Sequence, residues 1–180
     1  MPVDMKGIIA DTFTRMVRRG NMDRITVKAL IEECHISRQT FYYHFQDIMD
    51  VLEWSVRQDT RRLVEQSLKT EDMHSALRVF IAFAVDSYPM IQKMMNSQRR
   101  PEIEEIMIDS IGAYLSELVR HNQQDIPVNF ADGEVLLRYN ACGLAGVLLQ
   151  YGGKSGLDQE RLAQQLERIL SAELLGWGQK

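Results

Sequence analysis

Apolar residues in this chain recur every three or four positions, segment after segment, while the strict alternation of a half-buried strand is nearly absent. That spacing lines one face of a helix, and it predicts an all-α protein of about nine helices. Ile9, Phe13, Met16 and Val17 share one side of a first helix over 6–19, which should stop at Gly20. Thr26 can cap a second helix, in which Val27, Leu30, Ile31 and Cys34 fall at i, i+3, i+4 and i+7. His35 and Ile36 interrupt it. Ser37 can cap a third helix, because its hydroxyl can accept from a backbone N–H one turn in, and Phe41 and Phe45 then lie on one face. A longer helix starting at Asp47 carries Ile48, Val51, Leu52 and Val56 inward and runs to about Leu68. After a polar break over 69–73, a helix with Leu77, Phe80, Ile81, Ala84 and Val85 is expected to end or kink at Pro89. Pro101 suits the first turn of a helix reaching about Asn122, and 123–130 reads as a loop. Two further helices, about 132–151 and 158–175, flank a turn marked by Gly152, Gly153 and Gly156.

Composition changes this picture little. An apolar share of 45% and a charged share of 26% over 180 residues are globular values, sufficient for one substantial core or two small ones. The longest apolar run, residues 79–85, is far shorter than the roughly 20 residues of a membrane span. Both cysteines, Cys34 and Cys142, lie in apolar helical patterns, and no secretory leader is evident, so free thiols and a cytoplasmic location are expected. Charge is more informative. The net charge is −4, yet residues 1–45 carry seven Lys/Arg against five Asp/Glu, leaving that quarter at +2 and the rest at −6. Only the N-terminal quarter could comfortably approach a phosphate backbone.

That quarter also has a distinctive layout. Two short helices joined by a tight turn, the second opening on a capped, polar, aromatic-laced segment, match a helix-turn-helix DNA reader. Phe41 and Phe45 would pin the third helix so that Arg38, Gln39, Thr40 and Tyr43 face bases, Arg and Gln being the side chains whose paired donors and acceptors match guanine and adenine edges. Thr26, Lys28, Ser37, Tyr42 and His44 suit phosphates, where a hydroxyl or a cation fixes register without reading sequence. The competing reading is a three-helix core with an incidental polar face.

The run TVKALIEECHISRQTFYYHF, Thr26 to Phe45, resembles the N-terminal signature of the tetracycline-repressor (TetR) family of transcription regulators, close to T-V-x-x-I-A-x-x-A-G-V-S-x-x-T-[FLI]-Y-x-[YH]-F. Thr26, Val27, Leu30, Cys34, Ile36, Ser37, Thr40, Phe41, Tyr42, His44 and Phe45 match it. Within the family, RQTFYYHF followed by QDI and LEW is most similar to regulators of dihydroxyacetone-kinase operons. The resemblance is strong over residues 6–52 and architectural beyond. It implies a helix-turn-helix domain over 1–46 and a helical effector-binding and dimerisation domain over 47–180. Two positions depart from it. His35 stands where the family usually has a glycine, at a site where φ above zero is expected. Ile48 stands where a phosphate-contacting lysine is common, so that contact must come from backbone N–H groups or be missing.

Other chemistry fares worse. Gly152-Gly-Lys-Ser155 resembles a phosphate loop, but Leu148 occupies the place of the first glycine and a helix precedes it, so it reads as a turn. Cys34 and His35 are neighbours on a helix and face different directions. The four histidines and two cysteines show no metal-ligand spacing. No catalytic set, cofactor or metal site is expected.

A methionine-rich stretch with Phe80, Phe83, Tyr88, Met90, Met94, Met107 and Tyr114 reads either as core filling or as an adaptable pocket. The family resemblance implies that a small-molecule effector or co-regulator protein would act there. In the last two helices Ala141, Gly143, Ala145 and Gly146 permit close helix approach. With Leu149, Leu162, Leu166 and Ile169 they could complete a four-helix bundle across a homodimer. A twofold pair would read two half-sites about 34 Å apart on a palindromic double-stranded DNA operator. The rival function is a helical protein–protein adaptor that uses the aromatic N-terminal face without touching DNA.

Overall fold

The computed structural model describes residues 4–121 and 130–170. The described residues form eight α-helices and one short 3-10 turn with their connections: α1 (Met5–Arg19), the turn Met22–Arg24, α2 (Val27–Cys34), α3 (Arg38–His44), α4 (Ile48–Ser67), α5 (Met73–Met95), α6 (Arg100–His121), α7 (Phe130–Tyr151) and α8 (Gln159–Leu170). The loop expected over 123–130 lies outside the described residues, save that Phe130 opens α7, and so does the expected end of the last helix at 171–175.

Local chemistry sets the boundaries. Asp4, Thr26, Ser37, Asp47, Asp72 and Asp158 each accept from a backbone N–H in the first turn that follows, relieving donors that have no intrahelical partner. At the other end of α2, His35 takes the left-handed conformation, φ 53° and ψ 42°. Its N–H reaches the Glu32 carbonyl and that of Ile36 the Ile31 carbonyl, the paired bonds with which a glycine commonly ends a helix. Histidine meets the geometry expected of a glycine, at the steric cost of a Cβ.

Of the two outcomes expected at Pro89, an end or a kink, the first does not occur: α5 runs through it. A mid-helix proline forfeits one backbone bond and costs about 3 kcal/mol. Here apolar packing on both sides of the proline holds the helix, with Ala84 buried in one cluster and Met94 in another.

The chain divides into two packing units, and the division passes through α4, α5 and α6. One comprises Met1–Gln58 with Met90–Ile106, the other Asp59–Pro89 with Met107–Lys180. In the first, Ile9, Phe13 and Val17 of α1 meet Leu30, Phe41, Phe45, Val51 and Leu52, and Met94 and Ile103 close the core from the corner between α5 and α6. In the second, Leu77, Phe80 and Ile81 meet Tyr114 and Leu115, Ala141 and Leu144, and Ala163 and Leu166. A buried polar pair threads that core: Tyr114 lies 2.9 Å from the Ser67 hydroxyl and donates to the Ala76 carbonyl at 3.2 Å. Burial, only partly offset by the Ser67 bond, pushes the Tyr114 hydroxyl up to about 12, so it stays a neutral donor.

Candidate nucleic-acid interface

The third helix is short, seven residues, and two rings decide which way it faces. Phe41 is fully buried and Phe45 nearly so, their ring centroids 6.2 Å apart, and Trp54 of α4 packs edge-on to Phe45 at 6.0 Å. With that side fixed, 3.6-residue geometry turns Arg38, Gln39, Tyr42 and Tyr43 outward. All four are exposed, Tyr43 at 84%. The side chains of Arg38 and Gln39 make no hydrogen bond or ion pair among the described residues. A guanidinium and an amide without internal partners, beside two exposed tyrosine rings on one short helix, are the observation a recognition surface predicts.

The remaining predicted contacts are placed more variously. Thr40 is half-buried, and its hydroxyl lies 2.8 Å from that of Ser37, so these two side chains satisfy each other as well as the helix start. Thr26 is exposed while serving as the cap of α2. Lys28 is exposed and 4.0 Å from Glu32, an ion pair worth at most about 1 kcal/mol that a phosphate could displace. His44 is half-buried, edge-on to Tyr43 at 4.9 Å. Ile48 is buried at 6% exposure, and the N–H groups of Met49 and Asp50 already donate to the Asp47 carboxylate. The start of α4 therefore has little left to offer a phosphate. Cys34 is half-buried, its thiol pushed up by burial and partly relieved by a bond to Thr12, which makes it a poor nucleophile.

Sequence reasoning missed the buttress behind this surface. Asp23, in the 3-10 turn just ahead of α2, accepts from the Ser97 hydroxyl and from the Gln98 N–H at 3.2 Å. Lys93 donates to the Arg18 carbonyl at the end of α1. These partners are 74 or 75 positions apart, and no local pattern could have paired them.

The residues of the expected effector pocket fall into both cores. Phe80 stacks on Tyr114 at 5.0 Å with Met107 nearby in one cluster, whereas Met90 and Met94 pack in the other. Phe83 is 37% exposed, and Tyr88 lies over the Gly152–Gly153 turn. In the last two helices Ala141, Ala145 and Leu166 are taken up by the intrachain core. Leu149 and Leu162 are half-buried and Ile169 is 51% exposed. The other side of α7 is open: Val135 is 69% and Tyr139 64% exposed, and a Cβ added at Gly143 or Gly146 would meet nothing within 4 Å. Among the described residues no group of acidic, histidine or cysteine side chains could hold a metal, and no helix is long and apolar enough to cross a membrane.

No family model matches the chain. It is 21% identical over 169 residues to the HTH-type dhaKLM operon transcriptional activator DhaS of Lactococcus lactis subsp. lactis (strain IL1403), spanning 93% of this chain and 89% of that one. Among solved structures, the dihydroxyacetone kinase operon activator DhaS superposes with a TM-score of 0.64 at 20% identity, covering 94% of this chain and 95% of its own. The fatty acid degradation regulator FadR from Bacillus halodurans gives 0.55 at 14% identity and covers 98% of each chain. A third, the TetR family repressor AlkX from Dietzia sp. strain DQ12-45-1b, gives 0.55 at 15% identity and covers 94% of this chain and 97% of its own. At these identities the likeness shows a shared all-α fold over nearly the whole chain.

Proposed function

We infer that this chain, which has the fold of tetracycline-repressor-type regulators, is a sequence-specific DNA-binding transcriptional regulator and not an enzyme. One observation carries the reading: Arg38, Gln39 and Tyr43 stand exposed on a capped helix whose other side is pinned by buried Phe41 and Phe45. Arg38, Gln39, Thr40 and Tyr43 are assigned to base edges in the major groove, and Thr26, Lys28, Ser37, Tyr42 and His44 to the phosphates beside them. The reading head is assigned to residues 1–46 and effector response and dimerisation to 47–180. The names of its relatives, operon activators and repressors among them, support this class. A cytoplasmic location follows from it, since the operator is there.

A single head contacts too few bases for gene-level specificity, so the regulator acts as a homodimer on a palindromic operator. The open side of α7, with Tyr139, Gly143 and Gly146, and Ile169 of α8 supply the twofold surface. A small ligand or partner protein bound by the C-terminal domain would favour a head spacing that fits or misses successive major grooves, a population shift that serves activation and repression equally.

Selection from random duplexes tests the reading. A palindrome with half-sites one helical turn apart should emerge, and binding to it should weaken steeply as salt rises. Recovery of no sequence preference, with capture of a protein partner by the same aromatic face in a salt-insensitive manner, would favour the adaptor instead.

A further inference from the structure

Glu160 and Glu167 lie seven residues apart on α8, hence on one face, and the imidazole of His74 in the first turn of α5 stands between them. Its Nε2 is 2.9 Å from Glu160 Oε1 and its Nδ1 3.1 Å from Glu167 Oε2. A neutral imidazole has a single N–H, so it can donate to one carboxylate only and turns a lone pair toward the other. The imidazolium donates to both. The two nitrogens point at separate carboxylates, so the three side chains do not converge on a common point where a metal could sit.

The surroundings favour the charged ring. Its side chain is 22% exposed, while Glu160 and Glu167 are 48% and 37% exposed, so solvent screens both contacts in part. From α8 it faces Glu160 and Glu167. On its own segment the nearby charges are Asp72, whose carboxylate is held low by Ser75, and Arg78, whose guanidinium is engaged 3.0 Å from Glu160 Oε2. The bond to Glu160, opposed by partial desolvation and reinforced by the charges of Glu160 and Glu167, lifts His74 above the ordinary imidazole range. The same bond holds Glu160 low.

We propose that His74 is a proton-operated clamp: as imidazolium it ties α8 to the first turn of α5, and on losing its proton it lets α8 loosen. The other side of α8 gives the clamp something to act on. Leu162, Gln165 and Ile169, with Val147 and Tyr151 of α7, wall an open cleft of roughly 900 Å³, so the state of His74 sets how firmly one wall is held. The sign follows from linkage. A group whose pKa is raised in the folded state contributes in full below its unfolded value, about 6.5, and the contribution is lost as pH rises through the folded value.

The clamp is read on the chain alone, with no DNA, so its failure would leave the regulatory reading untouched. Imidazole resonances of the four histidines and hydrogen exchange of the α8 amides, corrected for intrinsic rates, are followed from about pH 5.5 to about pH 8.5 in the wild type, His74→Gln and Glu167→Gln. His74 should titrate above the ordinary imidazole value and move down in Glu167→Gln. Protection of α8 should fall several-fold with rising pH in the wild type and stay flat in His74→Gln. Should His74→Gln fail to fold, Glu167→Gln and the wild-type titration still decide. A wild-type His74 that titrates at or below the ordinary value, or α8 protection with the same pH profile in the wild type and His74→Gln, overturns the proposal.

Discussion

Tyr42 and Tyr43 are neighbours, yet they are assigned different work because one residue along a short helix is a rotation of about 100°. Tyr42 is 54% exposed and edge-on to buried Phe41 at 5.4 Å, while Tyr43 is 84% exposed on the outward face. Gln39 shares that outward face and has no partner of its own. Replacing Gln39 by Ala should therefore cost about 1–3 kcal/mol on the preferred site and relax preference at one base step. Tyr42→Phe should weaken binding modestly and evenly across sequences. Titrations on the selected duplex and on single-base variants separate the two, and a uniform loss for Gln39→Ala would remove it from the base-reading set. At this scale most of the surface was legible in the sequence, because caps and i, i+4 aromatics act over one turn. The engagement of Thr40 with Ser37 was not, since it depends on which rotamers the folded turn selects.

At the scale of elements, caps and apolar periodicity placed the helices, and Pro89, expected to end or kink α5, shows where such reasoning stops, since the helix continues through it. Whether a proline ends a helix depends on what the residues beyond it can bury, and Met94 lies in a core that local sequence does not reveal. The turn between α7 and α8 gives a sharper case. Gly152, Gly153 and Gly156 were legible as a turn, but not the reason for the first two. A Cβ at Gly152 would lie 2.7 Å from both the Leu148 carbonyl oxygen and the Tyr88 ring, and one at Gly153 would lie 2.2 Å from that ring. The ring cannot swing away freely, because its hydroxyl donates to the Leu149 carbonyl at 3.1 Å. Gly152→Ala should consequently destabilise the protein by about 1–3 kcal/mol, seen as a lowered denaturation midpoint, as for other overpacked sites. Gly143→Ala, where nothing is in reach, should leave the monomer's stability unchanged or raise it by about 0.5–1 kcal/mol, the ordinary gain of alanine over glycine within a helix.

For the molecule as a whole, the proposed dimer would use the open side of α7 to bring two reading heads to one operator. Val135 and Tyr139 stand exposed on that side, and Gly143 and Gly146 beside them would let a second helix come close. Tyr139→Glu should therefore give a folded monomer by light scattering, with affinity for the full palindrome reduced toward that for a single half-site. An unchanged dimer mass would move the subunit interface elsewhere.

By itself the sequence determined the all-α class, the caps at Thr26, Ser37 and Asp47 and the exposure of Arg38, Gln39 and Tyr43 on α3, since each follows from interactions between residues at most about five apart, while the left-handed His35 was implied by the family resemblance. Only the tertiary structure decided that α5 continues through Pro89, that Ala141 and Ala145 serve the chain's own core, and that Asp23 is held by Ser97 and His74 by two glutamates of α8. Those outcomes depend on pairings between residues dozens of positions apart, chosen by which apolar faces close on one another, and no period along the chain records that choice.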